Sequence, residues 1–366
     1  MTYLTVVIPV RNEAEHIAYT LDRLLAQNFD SDKLDIIVVD GLSEDQTPQI
    51  VQEYVEKHPN IVRYFVNTKK LASAARNIGV QNARGEAVLI VDGHCIIDNN
   101  DMLRNVSDAF ERTGADCLGR PQPLEMTNAT SLQWAIAAAR RSPLGHHPDS
   151  FIYSGEAQFS PASSVAVAYR KSVFEKVGIF DENFDAAEDV EFNTRCDAAG
   201  LKCYFEPAIA VRYVPRSTLK ALGDQMERYG RGRVRLWRKH RHTFSWKSFA
   251  PGVFTFGFYY IAFCVVLAFI FQIAAVVLGI TSSMVDATLI LVGCTLMPFL
   301  ITYGLLYVPA VILESARLSF KQKRRNILPF LPFVFYIVHF AYGDGVLSEF
   351  FFPRRLISHA TLDGKK

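Results

Sequence analysis

The chain has 366 residues, half of them hydrophobic and 12% aromatic, which excludes general disorder and allows a large α/β domain plus a smaller unit. A net charge of +2 gives no overall footprint for a nucleic-acid partner, and none is expected. The charge is unevenly placed: Arg228–His242 holds seven Lys/Arg and no carboxylate, whereas Phe249–Ile280 holds no charged side chain.

The opening MTYLTVVIPVRNEAEHI has no basic n-region and no long apolar h-region, so no signal peptide is expected and Leu4–Val10 reads as a strand. Glu13–Gln27 places Ile17, Leu21, Leu24 and Leu25 at helical spacing. Asp35–Asp40 reads as a buried strand, Gln46–Lys57 as a helix, Ile61–Val66 as a strand, Leu71–Ala83 as a helix and Ala87–Val91 as a strand. This rhythm predicts a mostly parallel sheet covered on both faces, whose ligands bind beyond the carboxyl ends of the strands. The six cysteines form no CxxC pair; neither a zinc site nor a disulfide framework is expected, and a reducing compartment is the simpler reading.

Past Trp246 the composition changes. Val253–Leu278 and Ala287–Leu313 are uncharged over more than the roughly 20 residues a spanning helix needs. Basic residues precede the first stretch and follow the second (Arg317, Lys321, Lys323, Arg324, Arg325), while Thr281–Asp286 between them has none. The positive-inside rule then puts both flanks and the N-terminal domain in the cytoplasm, in a multi-pass protein of the inner membrane. Ile327–Phe352 is long enough to cross but contains His339, Asp344, Glu349 and a Gly343-Asp344-Gly345 interruption, so a re-entrant segment and a third span both stay open. The expected division is a domain at 1–224, a basic interfacial segment at 225–248, membrane segments at 249–352 and a tail at 353–366.

Five segments carry the candidate chemistry. VVIPVRNE (6–13) ends a strand; its carboxylate suits a ribose or base, or else Asn12 or Glu13 caps a helix. DGLSEDQT (40–47) sets an acidic residue and turn formers at a strand's carboxyl end, where open α/β sheets bind nucleotides. In AVLIVDGH (87–94), strand alternation would put Asp92 and His94 on one side of the backbone, a donor pair suited to Mn²⁺; His94 as a turn residue is the plainer alternative. Glu188-Asp189 opens a helix, where paired carboxylates either complement the helix dipole or remove a proton from an attacking hydroxyl. Downstream, QMERYGRGR (225–233) offers guanidinium groups to a diphosphate or to anionic lipid.

These pieces, with ASAARNIGVQNARGEAVLIVDGH and YRKSVFEKVGIFDENFDAAEDVEFNTR, resemble family 2 glycosyltransferases over roughly residues 2–235. The apolar segments that follow are similar to those of membrane-bound bacterial exopolysaccharide enzymes of the succinoglycan type. The resemblance implies a GT-A fold, Rossmann-like and mostly parallel, carrying C-terminal transmembrane helices. It implies a nucleotide site at Pro9, Glu13, Asp40, Arg76 and Asp92, and a metal, Mn²⁺ or Mg²⁺, at Asp92 and His94. His94 stands where the family's Asp-x-Asp motif ends in Asp. Asp189 takes the place of the general base, beside Glu188. Gln225, Arg228, Tyr229 and Arg231 follow the family's Gln-x-x-Arg-Trp pattern, with Tyr229 in place of Trp, and are expected to meet diphosphate or acceptor.

The function so implied is inverting transfer from a nucleotide sugar, a UDP-sugar by expectation, to a lipid-linked saccharide or polysaccharide at the cytoplasmic face. Expected partners are donor, acceptor, membrane lipids and a second copy of the chain. Two alternatives stay open: a processive synthase working as an oligomer, and a non-catalytic nucleotide-binding subunit of an export complex.

Overall fold

A computed structural model of the chain describes residues 1–145, 155–278, 293, 296–297 and 301–353. The chain runs β1 (Leu4–Val10), α1 (Ile17–Leu25), β2 (Leu34–Asp40), α2 (Thr47–Lys57), β3 (Val62–Val66), α3 (Ala72–Asn82) and β4 (Ala87–Ile90). It continues through α4 (Met102–Thr113), β5 (Cys117–Gly119), α5 (Ser131–Arg140), β6 (Gln158–Phe159), α6 (Ala162–Val165), β7 (Ala166–Arg170), α7 (Lys171–Val177), α8 (Glu188–Ala198) and β8 (Cys203–Phe205). Then come α9 (Leu219–Lys239), α10 (Trp246–Leu278), α11 (Val308–Lys321) and α12 (Leu331–Phe351). Contacts divide the chain into two compact units, residues 1–127 with 155–215, and residues 128–145 with 216–353.

In the first unit the first seven elements fall within a few residues of the periodicity reading, because each carries an unbroken apolar pattern. The eight strands form one sheet in the order β3-β2-β1-β4-β7-β5-β8-β6. β1 pairs in parallel with β2 and β4, and β2 with β3. β7 then inserts between β4 and β5 and runs against both, and β6 runs against β8, so the far half of the sheet is mixed rather than parallel. Side chains alternate across the sheet with period two. Leu4, Val6 and Ile8 lie in one core with Ile17, Leu21 and Leu24 of α1 and Val106 and Phe110 of α4. Val7, Ile37, Val39 and Val88 lie in the other, with Ala75 and Val80 of α3 and Phe192 and Cys196 of α8. Each fully buried aliphatic side chain of this kind contributes about 1.5–3 kcal/mol, which makes the strand ends stiff supports for the loops that leave them.

Pro9 sits inside central strand β1, an unusual place for a residue without an N–H. The ladder with β4 has already ended at the Val7–Ile90 pair, so no rung on that side needs the missing donor.

The second unit is helical. Thr130 and Gln133 close a reciprocal capping box at the start of α5. α9 and α12 approach until their backbones touch: a Cβ on Gly230 would meet the Tyr342 carbonyl oxygen at 2.1 Å, and one on Gly345 the Glu227 carbonyl oxygen at 2.0 Å. The glycines at 343–345 therefore serve close approach, and α12 runs through them without the interruption expected from the sequence. Glu349, 2% exposed on α12, takes Arg235 at 3.0 Å, Arg238 at 3.7 Å and Arg231 at 3.9 Å. Part of the basic segment thus faces a buried carboxylate. α10 contains the first expected span and exposes Phe263, Phe269, Ile270 and Val277. The expected loop 281–286, most of the second span (287–300, apart from 293 and 296–297) and the tail beyond 353 lie outside the described residues.

Candidate active site

β1 lies between β2 and β4, the point where strand order reverses, and the segments leaving the carboxyl ends of these strands meet there. The loops after β1 and β2 are laced together. Asn12, in the left-handed region at φ 55°, donates its N–H to Ser43 Oγ at 2.8 Å and accepts the Glu44 N–H on its side-chain oxygen at 2.8 Å. Glu13 N–H donates to Thr47 Oγ1 at 2.8 Å, and Ala14 N–H to Asp45 at 3.1 Å. The DGLSEDQT turn residues are thus spent on holding two loops in register. Neither Asn12 nor Glu13 caps α1, which begins at Ile17 without a side-chain cap.

Asp40, 2% exposed, accepts from the Ser43 N–H and hydroxyl and from Tyr64 OH at 3.0 Å. Burial and the Asp40 carboxylate push the Tyr64 hydroxyl up to about 12. The second aspartate of the same strand has a different job. Asp35 is fully buried at the opposite end of the sheet and is gripped by Arg63 at 2.7 and 2.9 Å, by Thr5 and by the Arg84 N–H.

β4 ends at Ile90, and Asp92-Gly93-His94 forms a turn closed by the Cys95 N–H on the Asp92 carbonyl at 3.2 Å. The strand alternation expected for Asp92 and His94 does not extend this far. His94 turns to Glu13 instead, with Nδ1 2.8 Å from Oε1, and Asp92 accepts from Tyr213 OH at 2.8 Å. Gly93 makes the turn possible, since a Cβ there would stand 2.8 Å from Val10 Cγ1. A His held through Nδ1 by a carboxylate presents Nε2 to a ligand, the usual outer arrangement of a metal-binding imidazole. Among the described residues no three His, Cys, Asp or Glu side chains converge as a ready cage. An ion carried by a diphosphate takes its other ligands from phosphate oxygens and water, so one carboxylate and one imidazole fit it.

Glu188 and Asp189 open α8 after Ala187, which is left-handed at φ 61°. Successive helix positions point about 100° apart, so the two carboxylates go different ways. Glu188 is buried and bonds Arg76 of α3 at 2.5 Å, while the Arg76 guanidinium also lies over the Phe180 ring, 5.5 Å from its centroid. Burial pushes the Glu188 carboxyl up, with Arg76 opposing and Asp189 and Asp92 adding to the rise. Burial disfavours the charge on Arg76 as well, but Glu188, Asp189 and Asp92 outweigh it and hold the guanidinium above its ordinary value. Asp189 stays exposed, with one oxygen accepting the Val190 N–H at 2.8 Å.

Arg76, Asp92 and Asp189 line one small cavity of about 50 Å³ with Arg120, Gln122, Tyr169, Phe180 and Tyr213. Arg120, Gln122 and Tyr213 escaped the sequence reading. Arg120 follows β5 directly, in the position that reading treats as worth inspecting, but a three-residue strand has no periodicity to reveal it. Gln225, Arg228, Tyr229 and Arg231 all lie on α9 in the second unit. There Gln225 accepts from Arg140 of α5 at 3.3 Å and donates to Tyr229 OH at 3.1 Å, and Arg140 lies over the Tyr229 ring. Arg231, 9% exposed, bonds Glu227 at 2.7 and 3.0 Å.

A sheet with a switch point, acidic turns at its strand ends and a helix-opening carboxylate pair defines a GT-A-like α/β fold. A mannosyltransferase of Pyrobaculum calidifontis, solved with GDP-Man and Mn²⁺, shares it: TM-score 0.54 at 18% identity, over 94% of this chain and 87% of that one. Residues 5–178 match the model of Glycosyl transferase family 2. It is 26% identical over 271 residues to a dolichyl N-acetyl-α-D-glucosaminyl phosphate 3-β-D-2,3-diacetamido-2,3-dideoxy-β-D-glucuronosyltransferase of Methanococcus voltae, covering 73% of this chain and 82% of the relative. To the succinoglycan biosynthesis protein ExoA of Rhizobium meliloti it is 29% identical over 238 residues, covering 64% and 70%.

Proposed function

We propose that the chain transfers a sugar from a nucleotide donor, a UDP-sugar, to a lipid-linked saccharide or polysaccharide acceptor, with inversion at the anomeric carbon. The observation that carries this reading is the split of the carboxylate pair: Asp189 is exposed at a cavity it shares with Asp92, while Glu188 is buried against Arg76. Asp189 takes the proton of the acceptor hydroxyl as that oxygen bonds to the anomeric carbon and the bond from that carbon to the diphosphate oxygen breaks. The Glu188–Arg76 pair fixes the start of α8 and so positions the base. Asp92 and His94, the latter oriented by Glu13, would hold a divalent ion, Mn²⁺ or Mg²⁺. When bound, that ion supplies positive charge for the leaving diphosphate. Pro9, Glu13 and Asp40 are assigned to the nucleotide pocket. Gln225, Arg228 and Tyr229 are assigned to diphosphate or acceptor; Arg231, expected there too, is instead buried against Glu227 and Glu349.

The names of the two relatives, one for a dolichyl-linked acceptor and one for succinoglycan, support an acceptor carried on a lipid or polymer. A membrane location agrees with it. α10 and α12 are long and apolar enough to cross a bilayer, and only 17% of the most apolar window of α10 is buried. The basic flanks then put the catalytic domain at the cytoplasmic face.

Asp189→Asn tests the reading. Transfer should fall at least a thousandfold while nucleotide affinity stays within about threefold, since the base acts on the chemical step. Transfer near the wild-type rate would remove Asp189 from the mechanism.

A further inference from the structure

We infer that Arg120 is a specificity-determining residue for the sugar being transferred, which its guanidinium holds by hydroxyl oxygens in the cavity between Asp92 and Asp189. This rests on the donor reading above and deepens it.

Arg120 is 1% exposed and is among the largest fully buried side chains of the described chain. Its hydrogen bonding is poor for so buried a charge. Nη2 donates to the Ile90 carbonyl at 3.3 Å and the side chain interacts with Tyr213 and Asp92, yet neither Nε nor Nη1 meets an acceptor at hydrogen-bonding geometry. Leaving two buried charged donors without acceptors is costly, and a fold retains such a group where something else supplies the oxygens. Arg120 also lines the cavity that contains Asp92 and Asp189.

Three features say what that acceptor is. First, size: a cavity of about 50 Å³ has room for roughly three to five water-sized groups, one hydroxylated edge of a sugar and not a nucleotide. Second, charge: Asp92 and Asp189 already face the space, with Glu188 behind Arg76, so neutral hydroxyls enter it at less cost than a further anion. Third, reaction geometry: the anomeric carbon must lie between the diphosphate, proposed at Asp92, and the base, proposed at Asp189. The group lodged between those residues is therefore the sugar itself. Nε and Nη1 point along different directions of the guanidinium plane, so they call for two separate oxygens rather than one bidentate carboxylate.

Sites built to bond a substrate hydroxyl reject analogues that lack it far more strongly than apolar pockets reject a missing methylene. The test uses the full chain in detergent or native membranes. Binding of UDP and GDP is compared with binding of UDP-glucose, UDP-N-acetylglucosamine and GDP-mannose, for wild type, Arg120→Lys and Arg120→Gln. With the sugar nucleotide the wild type uses, both variants should lose at least tenfold in affinity, while the matching nucleoside diphosphate changes by less than twofold. The ratio of the two affinities is independent of how much variant protein folds. A second arm needs no variant: wild-type transfer from singly deoxygenated forms of the same donor should drop at least a hundredfold in kcat/KM for at least one position. Equal losses for nucleotide and sugar nucleotide in the variants, or deoxy donors all used within twofold of the parent, would overturn the assignment of Arg120 alone. Wild-type protein that binds none of these nucleotides would overturn the donor reading and this inference with it.

Discussion

Arg76 and Glu188 form a pair in which neither charge is tolerable alone, both side chains being at most 13% exposed. Arg76→Gln should cost about 3–5 kcal/mol, the usual effect of orphaning a buried charge, read as a fall in the melting temperature. The pH dependence follows from the raised Glu188 carboxyl. The folded state binds its proton more tightly than the unfolded chain does, so stability falls as pH rises above the ordinary carboxylate range. Removing Arg76, which opposes the rise, should widen that window toward neutral pH. A variant whose melting temperature follows pH as the wild type does would show that Glu188 does not depend on Arg76. His94 offers a second test, because its ring is set by Glu13. In the presence of nucleoside diphosphate, His94→Ala should weaken Mn²⁺ binding at least tenfold and Glu13→Gln less, measured directly by the loss of the free-ion spin-resonance signal. An unchanged titration in His94→Ala would leave His94 a turn residue.

At the scale of elements, glycines and turn residues decide geometry that hydrophobic pattern does not. Gly345 of α12 faces the backbone of α9, and even a methyl group would collide with the Glu227 carbonyl. Gly345→Ala should therefore destabilise the second unit by about 1–3 kcal/mol, the cost of overpacking, and Gly345→Leu more. Limited proteolysis and thermal melting of the solubilised chain measure this; an alanine variant that melts with wild type would refute the close approach. The same contact alters the meaning of the basic segment. Arg231, Arg235 and Arg238 all lie within 4 Å of Glu349, so replacing Arg235 tests helix packing before it tests contact with lipid. Only the more exposed members of the run remain clean probes of the membrane surface.

For the whole molecule, the membrane proposal predicts opposite labelling at the two ends of the second expected span, Ala287–Leu313. In a chain lacking its own six cysteines, Ser283→Cys should react with an impermeant reagent applied to intact cells, and Lys321→Cys should not. Lys321 is the suitable inner probe because it is exposed, whereas nearby Ser319 is 4% exposed and bonds the Arg324 carbonyl. The reverse pattern would place the domain away from cytoplasmic sugar nucleotides and sink the function as drawn.

What the sequence determined by itself was whatever repeats locally. The first seven elements were legible because each is a continuous run of one period, and the acidic strand ends were legible because turn chemistry and hydrophobic runs mark where strands stop. The resemblance pointed to a family and to the order of its motifs. The tertiary structure decided the rest, since it depends on partners distant in sequence. Strand β7 enters between β4 and β5, 49 residues after β5 began at Cys117, and no local pattern announces that pairing. The two carboxylates of Glu188-Asp189 look alike in sequence and take different roles only because Arg76, 112 positions from Glu188, takes that one of them. Asp35 and Asp40 lie near opposite ends of the same strand; Arg63 and Thr5 make the first structural, while the loop laced to Asn12 puts the second at the switch point. Arg120 was invisible for the same reason: a charge buried after a three-residue strand gains its meaning only from Asp92, Tyr213 and Asp189 gathered around one cavity.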